Sequence, residues 1–125
     1  MRRTLTALAC FVALAAAAGC GESDQEQARE VAQDYVEASN AGDFEAVCNL
    51  FSDEFINELA VTDCPGFVRE NTGGGRGELE LVDVRVNDDT ATADIDVVSE
   101  EGGPIRVGVG MERNADEEWE IVSLQ

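Results

Sequence analysis

Between residues 25 and 72 the apolar positions of this chain recur every three or four residues, and between 78 and 125 they recur every second residue. A period near 3.6 predicts helices with one buried face, and a period of two predicts half-buried strands. In the first half, Ala28, Val31, Ala32, Tyr35 and Val36 share one face. Ser23-Asp24-Gln25-Glu26 fits a capping box at its start, in which Ser accepts from the N3 amide and Glu reaches back. Gly42 suits its stop, and Asp43 suits the cap of a second helix bearing Phe44, Val47, Cys48 and Phe51. Ser52 then caps a third segment with Phe55, Ile56, Leu59 and Ala60, and Pro65 opens a fourth with Phe67 and Val68. The run GGGRG, residues 73–77, ends the helical half.

In the second half Val82, Val84 and Val86 alternate with Asp83 and Arg85, and Ala91, Ala93, Ile95 and Val97 with Thr92, Asp94 and Asp96. Asp88-Asp89 can turn a tight hairpin, because Asp tolerates positive φ better than most residues. Pairing Asn87 with Thr90 then sets Val86 opposite Ala91, Val84 opposite Ala93 and Val82 opposite Ile95. Ile105, Val107, Val109 and Met111 form a third strand, and Trp119 with Ile121 a fourth. Gly108 and Gly110 fall on the other side of the third strand, where glycines mark bends or bulges. Leu79, Leu81, Val122 and Leu124 are out of phase with the inward set and are expected to meet the helices where the sheet twists. Helices followed by an antiparallel meander predict a single α+β domain over residues 25–125.

The first residues change the picture of where this domain works. Met1-Arg2-Arg3-Thr4 is a short basic opening, and the apolar run from Leu5 to Ala18 has 14 residues. That suits a secretory leader and is short of the roughly 18 residues a membrane-spanning helix needs. Ala17, Ala18 and Gly19 lead into Cys20, which resembles the lipobox of bacterial lipoproteins, although Ala17 stands where Leu is usual. The expectation is a signal peptide over 1–19, a lipidated tether over 20–24, and anchoring at the outer face of the cell membrane through lipid on Cys20. Cys10 is discarded with the leader. The alternative is an ordinary signal peptide cut after Ala16-Ala17-Ala18.

Loss of residues 1–19 from the 125 leaves 106, enough for one core, and loss of Arg2 and Arg3 takes the net charge from −19 to −21. The chain has neither Lys nor His. Such a surface repels nucleic acid and anionic headgroups, so neither is an expected partner. Solvation of an exported domain, adaptation to high salt, or attraction of cations each accounts for it. No Asp-x-Asp-x-Asp-Gly loop is present, and no metal or other cofactor is expected. Cys48 and Cys64 are the remaining thiols; in an exported chain they are expected to pair, closing a loop of about 15 residues, with buried free thiols as the alternative.

The segment AGDFEAVCNLFSDEF, preceded by an amphipathic helix and followed by strands ending in EEWEIVSL, resembles the nuclear transport factor 2-like superfamily. Within it, the chain is similar to short secreted lipoproteins of unknown function with one Cys in the second helix and another before the sheet. The resemblance implies helices packed on a strongly curved antiparallel sheet of about four strands, wrapped around the first helix to leave a conical cavity. The short strand often found between the second and third helices is not evident in the residues.

Relatives with this fold include isomerases, dehydratases and polyketide cyclases that set Asp, His or Tyr in the cavity for acid–base work. Here Asp83, Asp94, Asp96, Glu112, Glu118 and Glu120 fall on outward positions, which leaves Tyr35 as the one inward titratable group. A phenol alone is a poor base at neutral pH, so no catalytic residue is assigned. Tyr35, Met111 and Trp119 are expected at one end of an apolar cone, either lining a pocket or filling the core. The reading is a non-catalytic binding domain for a protein partner or a small apolar ligand. A cavity enzyme and a passive envelope module are the alternatives. Pairing of two outer sheet faces would bring many carboxylates together, so a monomer is expected.

Overall fold

The computed structural model describes residues 23–71 and 77–125. The leader, Cys20 and residues 73–76 of the glycine-rich run lie outside the described residues. Four helices, α1 (Asp24–Ala41), α2 (Phe44–Asn49), α3 (Asp53–Leu59) and α4 (Cys64–Asn71), precede four strands, β1 (Glu78–Asn87), β2 (Thr90–Val98), β3 (Ile105–Arg113) and β4 (Trp119–Leu124). No helix among the described residues is long and apolar enough to cross a membrane.

The helix boundaries follow local chemistry. The Ser23 hydroxyl accepts the Glu26 amide at the start of α1, and Gly42 ends that helix at φ 73°, a left-handed geometry that glycine adopts without a Cβ penalty. The Asp43 carboxylate caps α2 through the Ala46 amide, and the buried Ser52 hydroxyl caps α3 through the Phe55 amide. Asp63 accepts from the Gly66 amide at the start of α4. One expectation is corrected here: Phe51 is not a helical position. The chain leaves α2 at Leu50, and Phe51 forms a parallel bridge to Ile121. Ser52 N–H donates to the Ile121 carbonyl at 2.9 Å, and Ile121 N–H donates to Leu50 at 2.8 Å. The short strand between the second and third helices therefore exists as this single bridge, which pairs part of the outer edge of β4. Phe51 and Phe55 meet edge to face, with centroids 5.1 Å apart.

The sheet is antiparallel in the order β1-β2-β3-β4. Asn87 pairs with Thr90, Val86 with Ala91 and Val84 with Ala93, as the alternation requires. Beyond that point the register differs from expectation. A bulge between Leu81 and Asp83 makes Val82 the extra residue, so Ile95 pairs with Leu81 and Val82 is exposed. A second irregularity at Gly110/Met111 pairs Ser123 with Gly110 and Ile121 with Met111, skipping Val122. Each shift restores an out-of-phase residue to the inner face: Leu79 becomes buried opposite Val97, and Leu124 lies opposite Val109. Bulges bend a strand and increase its right-handed twist, which curls the sheet around α1.

Ala28, Ala32, Tyr35 and Val36 of α1 enter the core with Val84, Ile95, Val109, Met111 and Ile121 from the inner sheet face. Full burial of an aliphatic side chain contributes about 1.5–3 kcal/mol. α1 also satisfies part of the free edge of β1. The Asn40 side-chain amide donates to the Leu79 carbonyl at 2.9 Å while its oxygen accepts the Leu79 N–H at 2.8 Å, and Gln25 donates to the Val84 carbonyl. At Leu79 a side-chain amide thus takes the place of a neighbouring strand, which leaves fewer free edge groups to template pairing with another chain. Asn40→Ala is expected to destabilise the domain by about 1 kcal/mol and to speed hydrogen exchange at the Leu79 amide selectively. Unchanged protection at Leu79 would contradict this.

On the outer face, Arg85 pairs with Asp94 at 3.0 Å and Arg106 with Asp96 at 2.9 Å. The hydrogen bonds from Arg106 hold the Asp96 carboxyl below its ordinary pKa and raise that of the guanidinium. These strand carboxylates are solvated and paired. Among the described residues no group of three or more His, Cys, Asp or Glu could hold a metal ion.

Candidate functional site: an apolar cavity at the open end of the sheet

The strand ends far from the β1–β2 hairpin enclose a cavity of about 350 Å³. Leu79 of β1, Val97 of β2, Ile105 and Val107 of β3, and Leu124 of β4 supply apolar walls, and Tyr35 enters from α1. Gly108 and Val109 of β3 add to these walls, and the polar residues of the described lining are Tyr35, Asn71 from the end of α4, Ser99 and Gln125. No side-chain carboxylate or guanidinium is among these residues.

The register shifts create this site. Without the bulge at Val82, Leu79 would face solvent; without the second shift, Leu124 would do the same. Gly108 and Gln125 exchange two backbone hydrogen bonds, at 3.0 and 2.8 Å, and so hold Gln125 along β3 beside the cavity. The disulfide reaches the site through α4. Cys48 and Cys64 are bonded, with Cα atoms 6.2 Å apart, which fastens α2 to the first residue of the helix whose last residue is Asn71. Val68, fully buried, anchors the same helix in the core.

Of the three residues expected to line a pocket or fill the core at one end of a cone, the structure brings only Tyr35 to the cavity, and the other two fill the core. Met111 and Trp119 are buried at the other end of the strands, near the β1–β2 hairpin, where Met111 pairs with Ala91 and Trp119 with Arg113. The Arg113 guanidinium lies 5.8 Å from the centre of the Trp119 ring and is held there by Asp24 and Asp89. Met111 and Val107 share a face but lie four residues apart, more than 10 Å along an extended strand, so one small cavity does not reach both. Leu79, Val97, Ile105, Val107 and Leu124 took the places that Met111 and Trp119 were expected to hold. For Leu79 and Leu124 the signal in the sequence was their place out of phase with the inward set.

A second depression, of about 590 Å³, lies between α3 and the β3–β4 end and is lined by Glu54, Glu58, Glu112 and Glu120 around Arg113. It is polar and acidic, unlike the first.

Neither a family model nor a curated protein matches this sequence. Solved structures do match. A provisionally named nuclear transport factor 2-like transpeptidase from Campylobacter jejuni is similar at a TM-score of 0.53 and 17% identity, over 74% of this chain and 94% of that one. A provisionally named dehydratase of the same family from Streptomyces avermitilis is similar at a TM-score of 0.49 and 20% identity, over 81% of this chain and 92% of that one. At 17% identity the likeness to the first is one of fold, and the fold of this chain is the α+β cone of the nuclear transport factor 2-like kind.

Proposed function

We propose that this domain is a non-catalytic binding module that takes a small apolar ligand into the cavity beside Tyr35, displayed at the outer face of a cell membrane by lipid on Cys20. The observation that carries the reading is the cavity itself: about 350 Å³ of largely apolar space with a few neutral polar groups in its wall. Such a site binds by shape and area, and the polar groups orient what enters. The named activity of the Campylobacter neighbour would ask for an activated nucleophile, a hydroxyl or thiol beside a base. Here Cys48 and Cys64 are bonded to each other, and the described lining offers Ser99 neither imidazole nor carboxylate. These features favour binding over turnover.

Val107→Trp tests the cavity. Val107 is half-buried in the wall, so a larger ring there fills space without emptying the core. Binding of a neutral fluorescent probe such as N-phenylnaphthylamine is expected to fall by at least tenfold, about 1.4 kcal/mol or more, while the circular dichroism spectrum stays that of the wild type. A folded variant that binds the probe as before would refute the site. Cys20→Ser in the full chain tests the anchor, with the domain expected to leave the membrane fraction.

A further inference from the structure

We propose that the cavity selects small organic cations: an apolar body enters, and a single positive charge stays at the mouth beside Glu100 and Glu101. This rests on the reading of the cavity as a ligand site and adds the charge of the ligand to it. Two sets of observations support it.

The first is the neutrality of the interior. The polar side chains of the described lining, those of Tyr35, Asn71, Ser99 and Gln125, are all neutral. A ligand carboxylate or phosphate drawn inside would be a buried charge without a counter-ion, which is strongly unfavourable. A charged ligand must therefore leave its charge at the entrance.

The second is the sign of the entrance. β2 ends at Val98 and β3 begins at Ile105, and Val97, Ser99 and Ile105 all line the cavity. The connection between the strands, which includes Glu100 and Glu101, therefore turns at the mouth. Both carboxylates are exposed. Exposed Glu70 and Glu78 each stand one residue from a lining position, Asn71 and Leu79. The nearby described guanidiniums have other work: Arg106 is paired with Asp96 on the outer face, and Arg69 stacks over Phe44. Ile105, 65% exposed, carries the apolar wall out to the rim, so an alkyl or aryl group lying across it would reach both the cavity and the acidic turn. The chain's charge of −19 adds a long-range field of the same sign.

The test is displacement of N-phenylnaphthylamine from the disulfide-bonded domain by three compounds with one chain length: octyltrimethylammonium, octanol and octanoate. At low salt the cation is expected to bind about fivefold tighter than the alcohol, the advantage that one or two exposed ion pairs supply, with octanoate weakest. High salt should shrink that advantage. The double variant Glu100→Gln, Glu101→Gln should remove most of the cation's advantage over octanol, the remainder being that of Glu70, Glu78 and the net charge, and leave octanol where it was. Octanol equal to or better than the cation at low salt, or a cation preference undiminished in the double variant, overturns the inference and leaves the cavity reading standing. Binding of none of the three, with no probe signal to displace, overturns both.

Discussion

Trp119→Ala is expected to destabilise the domain by about 3–5 kcal/mol, the range for emptying a large aromatic site in a core. Trp119 is 6% exposed and packs with Met111 and Ile121 in one cluster. Its loss also removes the ring beneath Arg113, a contact of about 0.5–1 kcal/mol where solvent still reaches the cation. A domain of this size has a total stability of only about 5–15 kcal/mol, so the variant should be close to unfolding at moderate urea concentrations. Trp119→Phe should cost much less. The indole N–H is buried with no hydrogen-bond partner among the described residues, and Phe removes that unsatisfied donor while keeping most of the ring. Because Trp119 is the sole tryptophan, circular dichroism is the suitable readout. The comparison separates two roles for this residue. A core role predicts a large loss of stability with probe binding retained in the folded fraction. A variant as stable as the wild type but unable to bind the probe would place Trp119 in the ligand site and count against the packing described above.

The Cys48–Cys64 bond carries the second large effect. The two residues are 16 apart in sequence, and closing a loop of that size lowers the entropy of the unfolded chain by an amount worth about 3 kcal/mol. Reduction, or the double variant Cys48→Ser, Cys64→Ser, is therefore expected to lower Tm by roughly 12–20 °C. The loss should not be uniform. α4 is short, begins at Cys64, and is joined to the core chiefly through Val68, so its amides should lose exchange protection before those of the sheet. Asn71 then loses its fixed place in the cavity wall, and affinity for an apolar probe should fall together with the protection of α4. Oxidised and reduced protein melting at one temperature would contradict the account.

Much of the fold could be read without coordinates because the physics that sets it acts over a few residues. A serine hydroxyl caps a helix three residues ahead, a glycine ends one by accepting positive φ, and Asp88-Asp89 turns a hairpin whose first pairs follow from strict alternation. The pairing of Cys48 with Cys64 was likewise open to an argument from number and compartment, and the two are bonded.

What the residues could not reveal is which of several equally apolar side chains faces inward. Val82 and Leu81 differ little in hydrophobicity, yet one is 42% exposed and the other packs against the core. The choice depends on which register lets both ends of β1 meet α1, and that is a comparison of whole packings. The same holds at Val122. Two one-residue slips set the curvature of the sheet, and that curvature leaves open space at one end and a filled core at the other. The local pattern along the chain thus settles the elements and their order. The cavity, its lining and the place of Trp119 were decided only when the strands had to close around a helix, because a bulge takes its energy from contacts between residues far apart in sequence.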